Sequence, residues 1–515
     1  MDKLREFCTE YSNGTANRVV VIGAGAAGLS ALGALRRRGH SDVLLLEKDA
    51  ALGGIWRQCD YPDLSIHTKS FSYRFYNFPA PSSRSEHATR QEILDYFQAY
   101  VNSFQLDKYI LYRIRVTKII YLEDDRIPHR CELHIEDEVM HTTHVIRCSY
   151  VICALGFTNA GTPNLPVLPG QKYFRGKQCH AIEVNEAMFN DIRERGSSVC
   201  LLGGGKSAYD LALQFTKRGL SQQITWIYEK FLWGLNYDFL YYSGWRELSK
   251  AAMNYHYYLY ALRRQPDSIN IRSMAQEIVK TGLLTNIDEN NLNIHETRSA
   301  IYKPSEIALL RSSTKRVRTW AQSLGLQTIS LENGSEVLAD YVIYCTGFGR
   351  AGNLLSIERK AIDGRTSVAD PRNQKMLYRG MIDANFPEII FFAGEALFGQ
   401  QLFGFSIAGE WVAQFIKKIE PHNRDALKRD VEFDDIAING GVRPEFGYSW
   451  ISNGSKSGGC GYLIGEASVR YLQQIFHDLG IDEGIVTNLY ASLADQVGFE
   501  GLARRIEGQL RTALA

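Results

Sequence analysis

Two segments of this 515-residue chain each read as a short apolar strand, a glycine-rich turn and a helix, and that pattern constrains the fold more than any other feature. The first is Arg18-Val-Val-Val-Ile-Gly-Ala-Gly-Ala-Ala-Gly28, the second Val199-Cys-Leu-Leu-Gly-Gly-Gly-Lys-Ser-Ala208. An apolar run this short suits a buried parallel strand. The helical patterns that follow, Ala26 to Arg37 and Ser207 to Lys217, stop before Gly39 and Gly219, which suit the left-handed position past a helix end. In Gly23-x-Gly25-x-x-Gly28 the first glycine permits the tight turn, and the second lets the backbone approach a pyrophosphate. The third lets the helix pack against its strand, with the helix N-terminus facing the phosphate charge. Glu47 ends the next strand, Val43-Leu-Leu-Leu-Glu47, about 20 residues on, where an acid accepts from ribose hydroxyls. That favours FAD or NAD over NADP at the first site. Gly203-x-Gly205-x-x-Ala208, with Lys206 and Ser207 in its turn, repeats the arrangement. Two such units in one chain imply two dinucleotides, economically a flavin and a nicotinamide.

Composition removes several other classes. Lys plus Arg number 58 and Asp plus Glu 57, without the basic excess of a nucleic-acid binder. Hydrophobic residues make up 45%, too many for a disordered chain. Nine cysteines, an odd number at low density, point to a reducing compartment, and a cytoplasmic location is expected. The polar stretch Met1 to Asn17 has no apolar core like that of a signal peptide. Ile389 to Phe405 comes closest to a membrane span, but Glu395, Gln400 and Gln401 interrupt it. Cys148 and Cys153 have a C-x4-C spacing. They straddle a strand far from Gly53-Gly54, and a separation of five predicts opposite faces, so buried thiols are expected rather than a redox pair. His141 and His144 flank two threonines without a supporting acidic or cysteine cluster, and no metal site is expected. No G-x-S-x-G elbow is present.

Further segments fall in a fixed order. Gly53-Gly54-Ile55-Trp56 follows the first ribose-binding acid, and Gly54-x-Trp56 continues to Tyr61-Pro62. Phe75-Tyr-Asn-Phe-Pro79 comes next. Phe174-x-Gly176-x-x-x-His180 lies between the two glycine fingerprints, preceded by Pro166-Val-Leu-Pro-Gly170. Thr346-Gly347-Phe348 and Phe392-Ala-Gly394-Glu395 close the series. In this order the set resembles the class B flavin-dependent monooxygenases, the group of flavin-containing and Baeyer–Villiger monooxygenases, over roughly residues 17 to 415. The chain departs from the group at Val184, where an aromatic residue is usual, and at His67, where the two subgroups usually carry Asn or Asp.

The resemblance implies an α/β fold with two Rossmann-like dinucleotide-binding domains, the FAD domain discontinuous and the nicotinamide domain inserted in it. The expected division is 1–165 and 331–420 for FAD, 166–330 for the coenzyme with an aromatic-rich insertion near 231–260, and a helical extension over 421–515. It implies FAD at Gly23, Gly25, Gly28, Glu47, Gly54, Trp56, Thr346, Gly347, Gly394 and Glu395. It implies NADPH, with NADH a possible alternative, at Gly203, Gly205, Lys206, Ser207, Ala208 and Lys230. Lys206 and Lys230 would meet the 2′-phosphate as point charges without the fork of an arginine, and Arg311, Lys315 and Arg316 are the next candidates. It implies a cycle in which the nicotinamide reduces FAD, oxygen adds to form a C4a-(hydro)peroxyflavin, and one oxygen atom passes to a small-molecule substrate. His67 is the catalytic candidate, placed beside the flavin. N- or S-oxygenation is expected, because Lys315-Arg316 does not match the surroundings of the Baeyer–Villiger Lys-Arg segment. Ketone oxygenation and an oxidase releasing hydrogen peroxide are the alternatives.

Overall fold

β1 (Val19–Ile22) is buried at every position and runs parallel to two neighbours, β2 (Val43–Glu47) and the strand Tyr150–Cys153. This computed structural model describes residues 18–156 except 125 and 128, 163–243 except 232, 247, 250, 251, 254, 258, 269–288, 297–348, 355–368, 379, 381–383, 385–392, 401–418, 475–482, 485 and 496–514. Ile110–Tyr112 and Ile389–Ile390 complete a five-stranded parallel sheet. The uninterrupted apolar runs have a simple cause, because both faces of this sheet are covered. Val19, Val21, Val43 and Leu45 point into a helical layer that includes α1 (Ala26–Arg37). Val20, Ile22, Leu44 and Leu46 point into a second sheet built from Ile114–Leu122, Cys131–Asp137, Thr142–Cys148, Ser356–Lys360 and Thr366–Val368.

The second unit repeats this plan around β3 (Val199–Leu202), which opens α2 (Lys206–Lys217) and pairs with β4 (Ile224–Tyr228). Its parallel sheet runs in the order Lys315–Arg318, β4, β3, Tyr341–Tyr344, Lys177–His180. Cys200 and Leu202 face a three-stranded antiparallel sheet over 321–338, while Val199 and Leu201 face α2. The expected division after residue 330 is therefore displaced. Tyr341–Tyr344 belongs to the parallel sheet of the second unit, between β3 and Lys177–His180, and the chain rejoins the first unit only at Ser356–Lys360 and Ile389–Ile390. An apolar four-residue strand carries no mark of which sheet will bury it. The two crossings lie side by side, joined by a bridge between Pro163 and Phe348.

The aromatic-rich stretch contributes the strand Trp233–Asn236 and the short helix Tyr237–Tyr242, the strand pairing with Leu284–Thr285 and Thr297–Tyr302. α3 (Gln401–Lys418) packs across α1, and Gly409 makes the close approach possible: a Cβ there would stand 3.1 Å from the Ser30 carbonyl oxygen. In the C-terminal helix Gln496–Leu514, Phe499, Leu502, Ala503, Ile506 and Leu510 fall at helical spacing and join the first unit's core. Of the expected helical extension over 421–515, residues 421–474, 483, 484, 486–495 and 515 lie outside the described residues.

Cys148 and Cys153 are buried, as expected, but the expectation that they occupy opposite faces needs correction. They lie in two different sheets, and both point into the core between them together with Cys131, which is paired opposite Cys148. Strand alternation does not relate them, because the chain passes from one sheet to the other between them. None of the three is joined in a disulfide. Among the described residues no helix is long and apolar enough to cross a membrane, and no three His, Cys, Asp or Glu side chains converge as metal ligands.

Candidate functional site

The first glycine turn is shaped by close contacts that leave no room for side chains. Gly23 has φ +104°, and a Cβ there would stand 2.6 Å from the Ala154 carbonyl oxygen. A Cβ on Gly28 would stand 1.8 Å from the Gly23 carbonyl oxygen. Gly25 is different: its nearest neighbour would be the Gly54 Cα at 3.6 Å. The space in front of Gly25 is a cradle that the protein itself does not fill. Gly25 caps α1 without any side chain accepting from the first turn, and no acidic residue stands there. The unpaired N–H groups and the positive end of the helix dipole therefore face that space, which suits a pyrophosphate.

Glu47 sits at the end of β2 and is 5% exposed. Its carboxylate accepts the Ala24 N–H at 2.5 Å and the Asp49 N–H at 2.9 Å, tying the glycine turn to the strand end. Burial pushes its pKa up, and the two N–H groups oppose that shift. Each oxygen keeps a lone pair for a ribose hydroxyl. Glu47, Gly54, Trp56, Tyr73, Val116 and Phe405 are among the residues that line one cleft with the glycine turn. The Trp56 indole N–H donates to the Tyr73 hydroxyl at 2.9 Å, which fixes the ring in the cleft wall. Donors at a helix start, a buried acid at the strand end and an apolar cleft beyond them fit a dinucleotide such as FAD. Tyr73 and Phe405 are lining residues that no sequence motif had indicated.

The second turn follows the same logic. Gly203 has φ +133°, and a Cβ there would stand 2.3 Å from the Cys345 carbonyl oxygen. Gly205 has nothing within 4 Å of its would-be Cβ and caps α2 with no side-chain acceptor, again an open cradle. Gly204 was not expected to matter. A Cβ there would stand 1.8 Å from the Lys230 carbonyl oxygen, so this glycine lets β4's exit pass over the turn. Ala208 is fully buried and Ser207 half-buried in the first turn of α2. Lys230 and Glu229 are both exposed where β4 ends. Lys206 is not simply free for a phosphate, since its ammonium pairs with Asp210 one turn along. Arg311 and Arg316 donate to the carbonyls of Asn286, Ile287 and Arg311, which makes them supports for the 286–288 loop. Arg318 stands directly beside Tyr228 on the neighbouring strand, is exposed, and pairs with Asp288 at 2.8 Å. It is the cation near β4's end that sequence order had hidden.

Thr346 and Gly347 do not line the first cleft. The Thr346 hydroxyl donates to the Asn164 carbonyl, and the Asn164 N–H donates to the Gly347 carbonyl at 2.9 Å. They stitch together the two crossings between the units. Gly394 and Glu395 lie outside the described residues. His180, the motif histidine, is 1% exposed; its Nδ1 accepts the Ile182 N–H at 3.3 Å and its ring meets Phe348 edge-on.

His67 is half-buried and makes no hydrogen bond to a described residue. Burial lowers its pKa to about 3, with the Lys206 ammonium and then His87 adding to the shift. A residue of the first unit and a residue of the second fingerprint thus act on each other electrostatically. The imidazole is neutral at physiological pH, with one N–H to donate and one nitrogen to accept.

Comparison with known proteins gives a consistent account. Residues 20–242 match the family described as pyridine nucleotide-disulphide oxidoreductase. The chain is 24% identical over 435 residues to probable flavin-containing monooxygenase 1 of Arabidopsis thaliana, covering 74% of this chain and 79% of that one. It is 24% identical over 414 residues to a Baeyer-Villiger monooxygenase of Streptomyces coelicolor, covering 72% of each. In fold it is similar to OTEMO as crystallised with FAD and NADP, with a TM-score of 0.59 at 16% identity, covering 81% of this chain and 89% of that one.

Proposed function

We propose that this chain, a flavin-dependent monooxygenase of the class B type that works with FAD and NADPH, delivers its oxygen atom to the nitrogen or sulfur of a small organic substrate. When bound, FAD accepts hydride from NADPH and, once reduced, activates molecular oxygen so that one atom reaches the substrate and the other leaves as water. Gly25, Gly54 and the start of α1 hold the flavin's pyrophosphate, and Glu47 accepts from its ribose. Gly205 and the start of α2 hold the coenzyme.

The place expected for His67 beside the flavin, with an imidazole whose pKa burial lowers, supports this choice of substrate. Transfer to a nitrogen or sulfur lone pair needs an electrophilic oxygen that keeps its proton. Transfer to a ketone needs an anionic nucleophile with a cation beside it. A neutral imidazole donates one N–H and brings no charge, which supports the first chemistry. The Lys206 charge is answered by Asp210. Lys315 and Arg316 stand in the outer strand of the second unit's parallel sheet, where Arg316 is engaged by backbone carbonyls. The test is a screen of amines, sulfides and ketones with NADPH and isotopically labelled oxygen. An N- or S-oxide carrying one labelled atom is expected. Ester from a ketone with no heteroatom oxide, or hydrogen peroxide equal to NADPH consumed with every compound, overturns the assignment.

A further inference from the structure

Between the two glycine turns, the segment Tyr61-Pro62-Asp63 of the first unit reaches across to α2 of the second. The Tyr61 ring packs against the second unit's core, and its hydroxyl donates to Asp210 Oδ2 at 3.2 Å. The other oxygen of Asp210 takes the Lys206 ammonium. Two residues along, Asp63 pairs with Arg218 at 3.3 Å, just past the far end of the same helix. Burial and the Asp210 charge push the Tyr61 pKa well up, so the hydroxyl stays a donor. His67 follows this segment by four residues.

We infer that Tyr61 and Asp210 form a clasp that fixes α2, and with it the coenzyme cradle at Gly205, in register with the flavin side of the molecule. Both are positioning residues. Neither side chain is one of the groups that form the cradles at Gly25, Glu47 and Gly205; Tyr61 comes from the other unit, and Asp210 stands one turn along α2 from Lys206, whose charge it answers. Hydride transfer is different, since it needs the reacting atoms near contact distance and a misplacement of about 1 Å costs on the order of a hundredfold. The aspartate does a second job in the same place. It answers the charge of Lys206, so that the cation acting on His67 comes already paired. This inference rests on reading the second unit as the coenzyme unit and is independent of the substrate oxygenated.

The test compares Tyr61→Phe, Asp210→Asn and Asp210→Glu with the parent as purified flavoproteins. Flavin reduction by NADPH is followed without oxygen and without organic substrate, so the outcome does not depend on heteroatom oxygenation. NADP+ binding is measured by calorimetry, and flavin content and melting temperature are recorded. Roughly ten- to a hundredfold slower reduction is expected for Tyr61→Phe and Asp210→Asn, with flavin content and melting temperature near those of the parent and, in Tyr61→Phe, which leaves Lys206 paired with Asp210, an unchanged NADP+ affinity. Asp210→Glu, which keeps a carboxylate, should fall closer to the parent than Asp210→Asn. Unchanged reduction in both Tyr61→Phe and Asp210→Asn overturns the inference. Loss of flavin or of melting temperature in step with the rate reduces the contact to a structural one and also overturns it. A weakened NADP+ affinity that accounts for the whole rate loss assigns the residues to binding and overturns it equally.

Discussion

At Gly25 and Gly28 the same kind of residue answers to two different demands, and the difference can be measured. A methyl group at Gly25 meets only the Gly54 Cα at 3.6 Å, ordinary contact, so Gly25→Ala should fold as the parent apoprotein does yet purify largely without flavin. A methyl group at Gly28 would be driven into the Gly23 carbonyl oxygen at 1.8 Å, so Gly28→Ala should lose flavin and fold together. Absorbance and melting curves of the two apoproteins separate the cases; full flavin occupancy in Gly25→Ala would remove the pyrophosphate assignment. His67 supplies a second prediction. Its folded pKa of about 3 lies below the ordinary value near 6.5, so between those values the unfolded chain binds the extra proton. Stability then rises with pH through that window and is lost as pH falls below about 6.5. In His67→Asn the fall in melting temperature from pH 7 to pH 5 should be smaller than in the parent. The same variant keeps a donor, whereas His67→Ala does not. His67→Ala should leave flavin reduction intact and divert more coenzyme to hydrogen peroxide, by roughly two- to tenfold in the competing rate if one neutral hydrogen bond is lost. Unchanged coupling in His67→Ala would leave His67 a wall residue.

Among the elements, α3 shows how a helix far along the chain can hold the first cleft together. Glu410 on α3 is fully buried and accepts from Arg37 at 2.7 Å and Arg38 at 2.8 Å, both at the end of α1, and from the Tyr76 hydroxyl at 2.9 Å. The three donors come from two separate elements, so one carboxylate ties α1, α3 and the 73–78 segment into a single body. Phe405 on the same helix lines the cleft. Removing one partner of a buried ionic cluster leaves the others uncompensated and costs about 3–5 kcal/mol. Glu410→Ala should therefore lose about that much in urea unfolding and should bind FAD more weakly, although Glu410 is not a cleft-lining residue. A loss below about 1 kcal/mol would mean that the arginines find water on release.

At the scale of the molecule, two dinucleotide units share a chain that crosses between them twice, and each should be separable by substitution. Gly205→Ala places a methyl group in open space, so it should keep its flavin and its melting temperature while NADP+ affinity falls; a variant that still binds NADP+ normally would show that α2 does not hold the coenzyme. The two strand–turn–helix units were readable from the amino-acid sequence because everything that makes them is local. A four-residue apolar run, glycines at three set positions and an acid ending the next strand act through neighbours within one turn or one strand. The cradles at Gly25 and Gly205 follow from that spacing, whereas the tie between Glu47 and the Ala24 N–H, 23 residues apart, came only with the fold. The sheet to which Tyr341–Tyr344 belongs, the shared core of Cys148 and Cys153, the use of Arg316 and the approach of Arg318 to Tyr228 were not readable. So it was with the meeting of Tyr61, His67, Lys206 and Asp210. Each of these joins groups far apart in sequence, and a side chain's charge state and partners depend on what burial brings beside it. The sequence by itself determined the two strand–glycine turn–helix units. Only the tertiary structure, through burial and long-range packing, lowered the pKa of His67 and brought Tyr61 of one unit onto Asp210 of the other.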